Sequence, residues 1–546
     1  MSYVFAQPPA LAAAATELAG IGSALGDAVT SAAAPTSVIA AAAADEVSSA
    51  IAGLFQNLGQ EFQTVNAQFG ALYAGIVQRL TATVEYYANA EAINTAQLVQ
   101  SVTAGLTTPT VGAPTNVTTA IIMGGTGTPI PGATYLNAIN SLFVQPISPG
   151  AIVQALFTPE ELYPITGVRS LPLATSVSEG LQILNTAIGE QLAAGNNVTV
   201  FGYSQSAIIS SLLMEHYISL GPNMPDPSKL NFILTGNEMN PNGGILSRIP
   251  GLNITTLGLP FYGATPDGPY QTTTYTLEYD GFADFPRYPL NILSDINAVF
   301  GILTVHTTYA HLTPAQVQSA IQLPTQGPTN NEYYIIPHPD LPLLDPVRAI
   351  PVIGEPIAAL VQPNLKVIVN LGYGDPNYGY STSPANVPTP FGLFPNVPPD
   401  VIANALVAGT QQGINDFLAV APTALTTPPV INPPAFPPLI QQYLGPPPPT
   451  VPATPANIVN TLASAVSTGY SVLLPTADLG TAFLTTMPAY DATLFFSQLA
   501  QGNLRDAIEL PLAATAGLAA LGGMIEFIAV VEAAAEIVQD LQSLAI

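Results

Sequence analysis

The chain has 546 residues, of which 8% are charged, and its 34 acidic against 8 basic side chains leave a formal charge of -26. That length accommodates two to four structural units around at least one large core. The charge balance excludes nucleic acid as a partner, because phosphate binding needs clustered Lys and Arg, and the absence of cysteine excludes a disulfide framework and a thiolate metal site. The acidity reads as a solubility device for an Ala-rich, apolar protein.

The opening residues, Met1-Ser2-Tyr3-Val4-Phe5, carry neither a basic region nor a cleavage site, so an ordinary signal peptide is not expected here and export would need another address. From Ala10 to about Thr30, and again from Ser37 to about Asn94, the sequence is Ala-rich and free of proline, with Pro35 at the break. This predicts an α-helical hairpin over residues 1–96. Val47, Ile51, Leu54, Leu58, Phe62, Val65, Phe69, Leu72, Ile76 and Leu80 recur at spacings of three and four and draw one apolar stripe. A helix of about 55 residues extends roughly 80 Å, too long a stripe for the hairpin to bury alone, so a partner helix pair is expected. Residues 97–117, with Thr, Gly and Pro, read as a linker.

A second unit is expected over residues 118–382. It opens with a strand from Thr119 to Met123 that runs into Gly124-Gly125-Thr126-Gly127-Thr128-Pro129. No Walker lysine follows and the dinucleotide spacing is absent, so Gly125, Thr126 and Gly127 are read as an oxyanion loop rather than a phosphate cradle. An amphipathic helix is predicted from Ser176 to about Ala194, with Val177, Leu181, Leu184, Ile188 and Leu192 on one face. Then Val198-Thr-Val-Phe-Gly-Tyr-Ser-Gln-Ser206 breaks from a β-branched run into Gly202-x-Ser204-x-Ser206 and an apolar helix. That is a nucleophile elbow, which holds a serine hydroxyl on a strained turn and sets the next amide, that of Gln205, where an oxyanion forms. Ser206 stands where the second glycine usually sits. Further strands are expected at Asn231 to Thr235, Thr274 to Tyr279 and Lys366 to Leu371. The alternation predicts an α/β fold of the α/β-hydrolase class, with a parallel sheet between helical layers.

A serine hydroxyl needs a histidine to take its proton and a carboxylate to fix that histidine's tautomer. In this fold class they follow in the order Ser, Asp, His. The chain has four histidines. His216 lies on the helix leaving the elbow, His306 is the first choice and His311 the second. The strand ending at Tyr279 feeds Asp280-Gly281-Phe282-Ala283-Asp284-Phe285-Pro286, a loop with two carboxylates at the expected carboxyl edge of the sheet. Asp284 is the preferred triad acid, with Asp280 as alternative and turn cap. Asp375 ranks last because it follows His306. No metal or organic cofactor is called for.

Proline becomes dense over residues 383–456, up to Pro446-Pro447-Pro448-Pro449, and reads as a spacer with polyproline character. Residues 457–546 return to Ala-rich helical composition. Leu510 to Ile525 is uncharged, but it is short of the ~20 residues of a membrane span and is followed by Glu526 and Glu532. A buried or interfacial helix is expected there, lying on envelope lipid or covering an acyl site.

Two resemblances are specific. The opening residues, the hairpin, Ala43-Ala44-Asp45-Glu46-Val47-Ser48 and Tyr87-x-x-x-Glu91 resemble the mycobacterial PE family domain, although Pro8-Pro9 replaces the family's Pro-Glu pair. The resemblance implies pairing with a PPE-family protein as a four-helix bundle, and export to the cell envelope by type VII secretion with Tyr87 and Glu91 in the signal. The region from Thr119 to Gly374 resembles the PE-PPE domain, a cutinase-like serine hydrolase module, through Gly124-Gly125-Thr126-Gly127, the Gly202 to Ser206 elbow, Tyr279 to Pro286, His306-x-x-Tyr309 and Leu371-Gly372-Tyr373-Gly374-Asp375. It implies an exported esterase or lipase-like enzyme acting on acyl esters through Ser204, Asp284 and His306. The alternatives are an acyltransferase on envelope glycolipids, or a PE/PPE adaptor or surface antigen with a non-catalytic hydrolase scaffold.

Overall fold

The computed structural model describes residues 117–167, 170–426 and 450–545, with scattered positions between 20 and 56. The chain forms two compact units, Met1–Pro114 and Thr115–Ile546. In the first, Gly20, Ser23, Gly26, Thr30, Ser31, Ala33, Ala52 and Gln56 are α-helical, and Thr30 Oγ1 donates to the Gly26 carbonyl at 2.8 Å. The pairing of the two expected arms, Tyr87, Glu91 and the linker from residue 97 lie outside the described residues.

The second unit is built on one seven-stranded sheet. Its strands are β1 (Thr118–Ile122), β2 (Ile152–Ala155), β3 (Asn197–Tyr203), β4 (Leu230–Thr235), β5 (Gln271–Leu277), β6 (Ile321–Gln322) and β7 (Asn331–Ile336), in spatial order β2-β1-β3-β4-β5-β7-β6. Every pairing is parallel except the short edge pair β6–β7. Central strands buried on both faces favour apolar residues, and β3 and β4 are mostly apolar, with Asn197, Thr199, Asn231 and Thr235 as exceptions. Along β3, Val198 and Val200 face one core with α1 (Leu173–Ala193) and α2 (Gln205–Ser219), while Phe201 faces the other, with Ile139 to Val144, Val305 and Tyr309. This is the α/β-hydrolase layering expected.

Two expectations need correction. Lys366 to Leu371 is not a strand but the last turns of helix α4 (Gly354–Leu371), which follows α3 (Ile292–Thr304). The short apolar core Val367-Ile368-Val369, flanked by Lys366 and Asn370, has no period of its own to distinguish a strand from a buried helical turn. Residues 383–426 are not a spacer. Phe391 and Thr389 are buried, and the fully buried Arg248 holds this stretch by donating through Nη1 to Thr389 and through Nε to the Phe285 carbonyl at 3.2 Å. Helix α5 (Pro399–Thr426) then packs along α4. Residues 427–449, including the four prolines, lie outside the described residues.

The C-terminal helices α6 (Pro455–Ser471), α7 (Leu473–Leu484), α8 (Thr486–Ala500) and α9 (Leu504–Gln542) belong to this same unit. Helix α9 is long and apolar enough to cross a membrane by length and composition, yet half of its most apolar window is buried. Leu518, Leu521, Met524 and Ile528 join the core that holds α1, α2 and the sheet. Polar contacts fix the seam: Tyr163 donates to Asp478 Oδ2 at 3.0 Å, and Tyr490 to the Pro250 carbonyl at 3.0 Å. Leu518→Ala should therefore cost about 2–5 kcal/mol in urea unfolding, the range for a truncated core leucine. A loss below ~0.5 kcal/mol would make the helix an appendage rather than a core layer.

Candidate active site

β3 ends at Tyr203 and α2 begins at Gln205, so Ser204 alone makes the turn, at φ 55° and ψ −125°. A non-glycine residue in that region is strained, and the surroundings must hold it there. Part of the hold is Gly202, where a Cβ would lie 2.7 Å from the Ser206 carbonyl oxygen. The rest comes from Ser206, whose hydroxyl accepts from the Tyr203 amide at 2.8 Å and donates to the Gly124 carbonyl. The fifth elbow position is therefore serine with a purpose: its hydroxyl ties the elbow to the loop after β1.

His306 opens the 3₁₀ segment His306–His311 that follows α3. Its Nε2 lies 2.9 Å from Ser204 Oγ and its Nδ1 lies 2.8 and 2.9 Å from the two oxygens of Asp280. Three residues per 3₁₀ turn put Tyr309 on the same face, and its hydroxyl donates to Asp280 Oδ2 at 2.8 Å. Asp280 Oδ1 accepts the Phe282 and Ala283 amides at 3.0 and 3.2 Å. The histidine ring stacks on Tyr203 at 5.2 Å and meets the edge of Phe282 at 4.8 Å, and the Tyr203 hydroxyl donates to the His306 carbonyl at 2.9 Å.

The carboxylate beside His306 is Asp280, not the preferred Asp284. Asp284 lies one turn further along the loop, its amide donating to the Asp280 carbonyl, and Asp284 Oδ2 accepts the Tyr279 amide at 3.1 Å. Burial holds the Asp284 carboxyl well above the usual carboxylate range, partly offset by that amide and by Arg248. His311 is exposed at the far end of the 3₁₀ segment, and His216 is exposed on α2. Asp375 follows a helix rather than a strand and accepts the Asn377 amide at 2.9 Å in a surface turn.

Of the expected oxyanion loop, Gly125 abuts Ser204: a Cβ there would sit 3.0 Å from Ser204 Cβ. The Gln205 side chain donates to Thr126 Oγ1 at 3.3 Å and to the Glu161 carbonyl at 2.8 Å. The Gly127 amide, however, is spent on the Glu160 carbonyl at 2.8 Å, which removes it from the candidate donors. Gln205 is the first residue of α2, and a helix leaves its first amides without an internal partner.

One residue of the site went unread in the sequence. Glu238, just beyond β4, is buried and accepts from Ser204 Oγ at 3.3 Å. Burial raises its carboxyl to about 7 against the opposing pull of His306. Its signal was positional: a lone acid three residues past the carboxyl end of the strand beside β3, where α/β sheets gather their ligands. Among the described residues no three His, Cys, Asp or Glu side chains converge as a metal site.

A model of the PE family matches residues 4–94 and a model of the PE-PPE domain matches residues 149–374. Esterase PE16 of Mycobacterium tuberculosis is 46% identical over 77% of this chain and 78% of its own. The chain belongs to the PE family. Its relatives in that organism also include the uncharacterized PPE family protein PPE28, 47% identical over 78% of this chain and 67% of its own. Among solved structures, a cutinase-like protein from Cryptococcus sp. matches at 16% identity and a TM-score of 0.22, over 32% of this chain and 82% of that one. In this PE protein the PE-PPE match contains Ser204, Asp280 and His306 but neither the Gly124–Thr128 loop nor helices α5 to α9.

Because the folded Glu238 carboxyl is raised from 4.5 to about 7, the stability it lends is complete below pH 4.5 and is lost as pH rises through 7. Ionisation also puts a negative charge beside Ser204, where an oxyanion would form. The rate at which a fluorophosphonate labels Ser204 should therefore fall as pH rises through about 7. Glu238→Gln should remove that fall, and an unchanged profile in the variant would assign it to another group.

Proposed function

We propose that this PE protein is an exported serine esterase that cleaves acyl esters through an acyl-enzyme. What supports the reading is the hydrogen-bonded series Ser204, His306, Asp280 on a strained strand-to-helix turn. Ser204 Oγ attacks the acyl carbonyl while His306 Nε2 takes its proton, then returns it to the departing alkoxide. Asp280 keeps the proton on Nδ1 and stabilises the imidazolium. The Gln205 amide and the Gly125–Thr126 segment face the oxyanion. Water then enters by the same base and releases the acid. The esterase named among the relatives agrees in reaction class.

A second reading within this chemistry, acyl transfer to an alcohol, draws support from the mostly apolar cavity that opens beside Glu238, which disfavours water as the deacylating nucleophile. The match to the PE family over residues 4–94 supports pairing with a PPE-family protein and type VII export to the envelope.

Hydrolysis of p-nitrophenyl esters by the full-length protein tests the reading. Ser204→Ala should lower kcat by about 10⁶-fold, and Asp280→Asn by about 10⁴-fold. Asp284→Asn should cost far less. Equal losses in the two aspartate variants would return the orienting role to Asp284, and turnover that survives Ser204→Ala would end the serine mechanism. With an added alcohol, ester product in excess of free acid would favour the transferase.

A further inference from the structure

Near Ser204 and His306 lies a small, mostly apolar cavity of about 70 Å³. It begins at Glu238, which contacts Ser204, and at Phe282, which contacts His306. Its remaining wall is almost wholly apolar, and the part furthest from the sheet is helix α9, through Leu518, Leu521, Met524 and Ile528. That helix lies outside the residues matched by the PE-PPE domain model. The cavity as it stands holds only about two water-sized volumes. Its end is Met524.

On the other side of Met524 begins a groove of about 610 Å³ between α3 and α9. Its walls include Ile292, Ile296, Phe300, Gly523 and Phe527, several of them exposed to solvent. Ile292 is 68% exposed, Ile296 41% and Phe527 42%. Neighbouring apolar side chains left this open usually mark a binding surface. The one ionisable group in the groove, Asp295, is raised to about 8 by burial, which leaves the groove uncharged at neutral pH.

From these observations we infer that α9 and α3 together form the acyl-chain site, and that a long-chain acyl ester threads from Ser204 past Met524 into the α3–α9 groove. The inference rests on the esterase reading and adds its substrate class. Continuity through a single side chain selects the occupant: a groove that reaches the nucleophile only by way of Met524 suits one linear chain. Methionine, unbranched with three rotatable bonds, is the side chain best able to swing aside for it. The C-terminal helix thereby sets chain length, a property that the matched domain alone lacks the wall to provide.

Two substitutions probe the path in the full-length protein. A Cβ at Gly523 meets nothing within 4 Å, so Gly523→Phe fills the groove without displacing a neighbour. Met524→Trp blocks the passage itself. Each should lower the ratio of kcat/KM for p-nitrophenyl palmitate over p-nitrophenyl butyrate by about tenfold or more, the effect of losing even one or two methylene contacts. Gly480→Phe, on the exposed side of α7 where a Cβ also meets nothing, should leave the ratio as it was. A ratio unmoved by both groove variants, with Ser204-dependent turnover intact, overturns the inference and leaves the esterase standing. Binding of the fluorescent fatty acid parinarate to Ser204→Ala protein reads occupancy without turnover. Its loss on adding Gly523→Phe supports the channel even if no ester is cleaved, and its persistence overturns it. Loss of vesicle binding with an unchanged chain-length ratio would make the groove a lipid-surface contact and equally sink the proposal.

Discussion

The buried carboxyl of Asp280 is the point on which the geometry around Ser204 and His306 depends. It has no exposure to water, so every lone pair must find a donor within the protein. It finds four: the Phe282 and Ala283 amides, the Tyr309 hydroxyl and His306 Nδ1. These donors come from the loop after β5 and from the 3₁₀ segment after α3, so satisfying one carboxylate fixes two segments at once. Helix α3 can approach closely enough only because Gly301 carries no side chain, since a Cβ there would collide with the Tyr279 carbonyl oxygen. The position of the histidine follows from satisfying the acid as much as from any demand of catalysis.

The same economy governs the elbow. Ser204 sits at a positive φ that its own side chain disfavours, and the strain is carried by the bonds of Ser206 to Gly124 and Tyr203 and by the bareness of Gly202. Glu160, also at positive φ, pins the neighbouring loop through its carbonyl, and its carboxyl is held far above the usual range chiefly by burial. In a chain with 34 acids and 8 bases, not every buried carboxyl can have a cation. Burial instead raises the carboxyl pKa of several, and two of these, Glu160 and Glu238, flank the loops around Ser204.

How much of this was legible in the sequence depends on whether the determining signal was local. The elbow, β3, β4 and helix α1 were readable because each is specified by its own residues: a β-branched run, a glycine two before a serine, a 3.6-residue period. The choice between Asp280 and Asp284 was not, because it turns on which carboxylate faces a histidine 26 residues later in the chain. The clue lay in His306-x-x-Tyr309 as a 3₁₀ pair sharing one acceptor. Lys366 to Leu371 misled because its side chains are those of a strand, while its backbone is decided by packing of α4 against α3 and α5. The proline-rich stretch misled for the opposite reason: proline disfavours regular ladders, yet Phe391 and Thr389 anchor it to the core through contacts with Phe285 and Arg248 more than a hundred residues earlier.

The C-terminal helices decide what surrounds the serine. A strained serine with its base and acid is a generic device, and alone at the edge of a sheet it would meet water as readily as any acyl group. Helix α9 changes that by laying Leu518, Leu521 and Met524 against the cavity beside Ser204, into which Glu238 brings a polar side chain that contacts the serine. In such surroundings hydrogen bonds to a forming oxyanion strengthen and an unpaired charge is penalised. The neutral form of Glu238 is therefore not incidental: an apolar cover over the site is compatible with an oxyanion there only while no second negative charge shares the space.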